Sequence, residues 1–224
     1  MSASLHPMRY PNETAGYRTK RDELLRAELE LRAKVEEVAA LRRGLPPGGR
    51  VSEDYLFQGR KGAVHLSELF APGKNTLLLY SYMYGPEMKA PCTSCTCFLD
   101  ALDGEAPHVE QRVNLAVVAK SPLERILAFA DPRGWKGLQL LSSHGTSYHR
   151  DYFGESDTGA QWPMMNVFIR RGEEILHSWG AEMLFAGKEK GQDGRHIDML
   201  WPLWNLLDLT PEGRGTDWYP KLRY

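Results

Sequence analysis

The stretch Thr76-Leu77-Leu78-Leu79-Tyr80-Ser81-Tyr82-Met83, closed by Gly85-Pro86 and followed by Cys92-Thr93-Ser94-Cys95, decides the fold. A near-continuous apolar run of strand length with a turn signal behind it is the pattern of a strand buried on both faces. Residues 95–109 then suit a helix, and residues 113–119 read as a second buried strand. The Cys-x-x-Cys therefore lies between strand and helix inside a βαβ unit, the context in which such a pair means redox chemistry rather than zinc.

The chemistry follows from position. A cysteine at a helix N-terminus meets unpaired backbone N–H groups and the positive end of the helix dipole, which favour thiolate over thiol. A second cysteine three residues on shares its helical face and can resolve a mixed disulfide. Cys92 is thus the candidate nucleophile and Cys95 the resolving thiol, with Thr93 and Ser94 between them as substrate-contacting candidates. Cys97 lies about 200° round the helix from Cys95 and reads as a core thiol. A zinc site of Cys92, Cys95, Cys97 and His108 would need a non-helical loop and is the weaker alternative. Tyr80, Tyr82 and Tyr84 alternate along the strand, so they share a face; Tyr84, nearest the cysteines, is a candidate border of the site.

Further along, Ser121-Pro122-Leu123-Glu124 has the form of a helix start with serine as cap. Residues 138–141 suggest a third strand, and 164–170 with 174–179, split by Arg171-Gly172-Glu173, suggest a hairpin. Residues 196–207 suggest a last helix. The order β-α-β-α-β, β-β, α describes an α/β layer with an antiparallel hairpin at one edge. Upstream, residues 18–43 form a helix without Gly or Pro, stopped by Gly44 and Pro46-Pro47. Its stripe of Leu24, Leu31 and Val38 docks either on its own domain or on a second copy of the chain, the latter giving a homodimer through the N-terminal helix. Residues 44–75 read as loop with a short hairpin around Gln58-Gly59-Arg60-Lys61-Gly62. The divisions expected are a flexible terminus at 1–17, a helical extension at 18–44 and one domain at 45–224.

Composition narrows the function. Across 224 residues, 28 Lys+Arg against 29 Asp+Glu give a net charge of -1, so no basic field points to nucleic acid or an anionic membrane. No apolar run approaches the roughly 20 residues of a membrane span, and residues 1–19 lack the apolar core of a signal peptide. Three cysteines, clustered and odd in number, fit a reducing, cytoplasmic compartment better than a disulfide scaffold. His144, His149, His177 and His196 have no metal-ligand spacing and read as surface or core histidines. Nucleotide-binding and hydrolase glycine motifs do not occur.

Taken together, Tyr82-Met83-Tyr84-Gly85-Pro86, the Cys92/Cys95 pair, Leu102-Asp103-Gly104 with Pro107-His108, Ser121-Pro122-Leu123-Glu124, Gly134-Trp135, Leu141-Ser142-Ser143, Asp151-Tyr152-Phe153 and residues 207–215 resemble a thioredoxin-like family known as domain of unknown function 899. The resemblance runs from about residue 17 to the C-terminus. It implies a thioredoxin-like α/β fold of peroxiredoxin-type layout, a central mixed sheet flanked by helices with a helical N-terminal extension. It also implies a cis-proline loop at Pro163, in Gln161-Trp162-Pro163-Met164, with Trp162 beside the cysteines as part of a substrate platform. Two departures bear on activity. Peroxiredoxins carry Thr or Ser three residues before the peroxidatic cysteine, where this chain has Lys89 before Cys92 and Cys92 before Cys95. Thioredoxins usually have Gly-Pro between the cysteines, where this chain has Thr93-Ser94. The expected function is thiol–disulfide oxidoreduction, with a disulfide or peroxide substrate, a cellular thiol reductant and neither metal nor organic cofactor. Thiol-dependent peroxide reduction and a non-enzymatic assembly scaffold are the alternatives.

Overall fold

The computed structural model describes residues 5–187, 190, 200–215 and 218–223, and divides into two compact units, Met1–Pro46 and Pro47–Tyr224. In the first, helix α1 (Ala15–Arg43) starts three residues before the expected 18. Thr14 Oγ1 accepts the Tyr17 N–H at 3.1 Å and so caps the helix. Arg18 reaches Asp22 at 3.2 Å, and both side chains are buried within this unit. Leu24 and Leu31 are exposed.

The second unit is built on one seven-stranded sheet, ordered β2-β1-β5-β4-β3-β6-β7. Its strands are β1 (Leu56–Gly59), β2 (Gly62–His65), β3 (Thr76–Tyr82), β4 (Asn114–Ala119), β5 (Leu140–Ser142), β6 (Met164–Arg171) and β7 (Glu174–Gly180). The parallel pairs β3/β4 and β4/β5 are joined by helices α2 (Thr93–Val109) and α3 (Leu123–Arg133). Strand β6 runs antiparallel to β3, and β7 antiparallel to β6. This is a thioredoxin-like fold: a βαβ half and a ββα half meet on a shared central strand. The closing helix α5 (Pro202–Leu207) is shorter than expected because it begins at Pro202, whose missing N–H costs nothing in a first turn. Residues 196–199, and with them His196, lie outside the described residues.

Period-2 alternation divides the burial between two cores. Tyr80 and Tyr82 of β3, Leu115 and Val117 of β4 and Met165 of β6 face α2 and α3. Leu77, Leu79, Ala116, Val118 and Phe168 face the other way, toward Tyr55, Phe57, Leu66 and the short helix α4 (Tyr148–Asp151).

Two side chains of α2 hold the α3–β5 connection. Asp100 pairs with Arg133 and accepts the Trp135 indole N–H at 2.8 Å. Asp103 accepts the backbone N–H groups of Gly137 and Leu138 at 2.8 and 3.1 Å. Leu138 is thereby spent on the loop, and the third core strand begins at Leu140 rather than 138. At the other edge, Val51 N–H donates to Ile175 and His177 N–H to Gly49, both at 2.9 Å, so residues 49–51 line the outer side of β7. No helix among the described residues is long and apolar enough to cross a membrane.

Candidate active site

Helix α2 begins two residues earlier than its apolar pattern suggested, because Cys92 itself is the N-cap. Its N–H donates to Met83 O at 3.0 Å, its carbonyl accepts from Thr96 N at 3.0 Å, and its Sγ accepts the Cys95 N–H at 3.4 Å. Hydrogen bonding from the Cys95 thiol, outweighing burial and helped by the N–H groups of Cys95 and Ser94, lowers the Cys92 pKa to about 6. Cys95 is buried. Desolvation, followed by the hydrogen bond to Cys92, pushes its thiol well up. The two sulfurs thus occupy opposite protonation states at neutral pH: a half-buried thiolate and a buried thiol that donates to it.

Further side chains complete the shell. The Tyr80 hydroxyl is buried and faces Cys95, an interaction that lowers the thiol pKa against the dominant effect of burial. Thr96 is buried too, with Oγ1 donating to Cys92 O at 2.8 Å and lying 2.7 Å from the Tyr82 hydroxyl. Thr93 and Ser94 occupy the first two helical positions, half-buried beside the thiolate. Cys97 is half-buried away from the pair, raised by desolvation and by the Asp100 carboxylate. Among the described residues no three His, Cys, Asp or Glu side chains gather to hold a metal ion.

The loop that delivers Cys92 is tied down from α3. Ser121, expected as a helix cap, instead donates its N–H to Tyr84 O at 2.8 Å and its Oγ–H to Gly85 O at 3.0 Å; Pro122 stands at the cap. Arg125 donates to Met88 O at 2.6 Å and to Gly85 O, with its guanidinium 4.8 Å over the Tyr84 ring. Tyr84 is therefore buried in the loop's support, against Tyr82 and Phe129. Neither Ser121 nor Arg125 was singled out as a site residue. Arg125, at i+4 from Ser121, carried the one available signal, a lone basic residue in the first turn of a helix.

Pro163 comes to the same end of the sheet: Met164 pairs with Ser81, and a Cβ on Gly85 would stand 2.9 Å from Gln161 Cγ. The expected cis bond is a correction, since no described peptide bond is cis. Trp162 N–H donates to Gly154 O at 2.8 Å and Gln161 bridges to Glu155, so the chain enters β6 already extended. The Trp162 ring lies 5.8 Å from Phe185, on a surface described below. The structure thus joins Cys92, Thr93, Ser94 and Cys95 in one turn, sets Pro163 near the loop that leads to them, and gives Tyr84 and Trp162 other neighbours.

From residue 7 to residue 224 the sequence matches the family model described as "Bacterial protein of unknown function (DUF899)". The chain belongs to this family. No curated protein matches this DUF899 chain. Among solved structures it is similar to a mutant form of Xanthomonas campestris peroxiredoxin Q, at 12% identity and a TM-score of 0.47, over 71% of this chain and 96% of that one. It is similar to the reduced 2-Cys peroxiredoxin of Plasmodium vivax at 16% and 0.45, over 73% and 94%. The exposed lipoprotein thioredoxin of Streptococcus pneumoniae stands at 14% and 0.41, over 67% and 99%. The fold assignment rests on the strand order and connections of the DUF899 chain itself.

Proposed function

We propose that this protein is a thiol–disulfide oxidoreductase working in a reducing, cytoplasmic setting. The observation that carries the reading is the split pair: a helix-capping thiolate at Cys92 and a buried, protonated Cys95 one turn away. Cys92 Sγ attacks one sulfur of a substrate disulfide, forming a mixed disulfide and releasing the other sulfur as thiolate. Cys95 then loses its proton and attacks Cys92 Sγ. The second substrate sulfur leaves as thiolate and an internal disulfide closes. Two electrons pass to the substrate, and a cellular thiol reductant returns them. No metal or organic cofactor enters these steps. Thr93 and Ser94 line the approach, and Pro163 bounds it from β6. A homodimer through α1, by its stripe of Leu24, Leu31 and Val38, is part of the proposal.

Against peroxide reduction stands the use of the neighbouring threonine: Thr96 Oγ1 is engaged by Cys92 O and Tyr82 rather than by the Cys92 sulfur. The test compares two second-order rates by stopped-flow tryptophan fluorescence. The oxidised protein is expected to react faster with dithiols than the reduced protein reacts with hydrogen peroxide, and Cys95→Ser should accumulate a mixed disulfide on Cys92. Rapid sulfenic acid formation on Cys92 in that variant would overturn the reading in favour of a peroxidase. Failure of the wild type to form any internal disulfide would leave a scaffold.

A further inference from the structure

The sheet face turned away from α2 carries a cleft of about 750 Å³ between Tyr152, Phe153, Met164, His177, Gly180 and Phe185, within the range of small-molecule sites. No residue of α2 or of the loop before it lines this cleft.

Its shape comes from a β-bulge. Val167 pairs with Trp179 and Phe168 with His177, which leaves Ser178 without a partner. The extra residue breaks the alternation: Trp179 packs on the α2 side, while His177 and Gly180 both turn to the cleft. There His177 Nε2 meets Asn166 Oδ1 at 2.9 Å, and Asn166 Nδ2 donates to Tyr152 O at 3.4 Å. An amide oxygen only accepts, so Nε2 carries the hydrogen and Nδ1 is left as an acceptor. Burial lowers the His177 pKa, which keeps the ring neutral. Gly180 leaves room beside this polar pair, since a Cβ there would stand 3.1 Å from Asn166 Oδ1 and 3.3 Å from His177 Cε1.

The rim is strained. Phe153 has φ 55° and is 62% exposed; the left-handed region is costly for a bulky side chain and marks functional positions. Its ring stands 5.9 Å from Phe185. A large apolar residue held exposed in that conformation serves neither the core nor the turn. The charges at the mouth are already engaged or acidic: Arg50 lies 3.5 Å from Glu174, Asp151 accepts from Tyr55 and Ser147, and Glu182 adds a carboxylate. Among the described residues that line the cleft, an anion would find no spare cation.

We propose that this cleft binds a neutral, ring-containing small molecule bearing a hydrogen-bond donor, with the ring between Phe153 and Phe185 and the donor on His177 Nδ1. Binding here is independent of the cysteine chemistry. The probes are 2-naphthol, 2-methoxynaphthalene, which lacks the donor, and 2-naphthoate, which is anionic, titrated into the intact protein by calorimetry and ligand-observed NMR. One molecule of 2-naphthol should bind saturably, about tenfold more tightly than either other probe, and equally well to a Cys92→Ser/Cys95→Ser protein. His177→Phe should reduce 2-naphthol to the level of the methoxy probe, and Gly180→Ala should weaken it at least fivefold. Phe153→Gly keeps the test sound should Gly180→Ala fold poorly: it relieves the strained φ, so the melting temperature should hold or rise while affinity falls. Absence of saturable 2-naphthol binding, equal affinity for all three probes, or unchanged affinity in Phe153→Gly would overturn the proposal.

Discussion

Cys92 and Cys95 are chemically identical and three residues apart, and the fold gives them opposite acidities. The capping position supplies N–H donors to one sulfur; the helix's buried face removes water from the other. The donor from Cys95 is the largest influence on Cys92, so the two are tuned together. Iodoacetamide alkylation of the reduced protein should show a midpoint near pH 6, and Cys95→Ala should raise it. A wild-type midpoint at the free-thiol value of about 8.5 would remove the basis of the nucleophile assignment. At this scale the sequence was informative because capping and helical spacing are local: the placement of the two cysteines at the head of α2 follows from a motif between strand and helix. Ser121, Arg125 and Tyr80 were not legible as site residues. Each acts on the cysteines or their loop across a sequence distance of 15 residues or more, and no periodicity encodes such contacts.

The resemblance motifs that carried no chemistry acquire a structural meaning at the level of elements. Leu102-Asp103-Gly104 and Gly134-Trp135 are the two sides of one clamp, Asp100 and Asp103 of α2 holding the turn after α3. Asp100→Ala should remove the acceptor of the Trp135 indole and one of the partners of Arg133, costing about 1–3 kcal/mol, the penalty of a buried indole donor left unpaired. The urea midpoint should fall with the m-value unchanged; an unchanged midpoint would mean the clamp contributes nothing. Strands β3–β6 and helices α2 and α3 were readable because buried strands and capped helices write distinct patterns, whereas the single turn of α4 between β5 and β6 was not. The bulge at Ser178 was not: strict alternation would put His177 and Trp179 on one face, and only pairing with β6 reveals the flip. The isomer at Pro163 was likewise not legible, and the residues that pair with its loop, Gly154 and Glu155, lie outside the motif that suggested it.

For the molecule as a whole, the second core holds a polar inclusion. His149 is fully buried, its Nδ1 2.6 Å from Ser143 Oγ, and Gly154 packs so closely that a Cβ would stand 2.7 Å from the imidazole. Desolvation pushes its pKa down to about 3 from 6.5. Between those values the unfolded chain binds the proton and the folded one does not. The contribution is therefore complete above pH 6.5 and is lost as the pH falls toward 3, at no more than about 1.4 kcal/mol per pH unit. Urea midpoints measured from pH 7 to pH 4.5 should decline less steeply in His149→Gln than in the wild type. Equal slopes would show that this histidine is already charged in the fold.

Residues 49–51 have a consequence for handling the protein. Strand β7 ends the sheet, and an uncovered terminal strand offers a ladder of unsatisfied donors and acceptors to any other chain. Val51 and Gly49 occupy that ladder at Ile175 and His177, and Gly48 fits only without a side chain, because a Cβ would stand 2.2 Å from His177 O. A truncation placed after Val51, on its face a clean removal of α1 and its linker, would strip this cover and invite strand-to-strand aggregation. A cut before Pro47 would keep the guard in place.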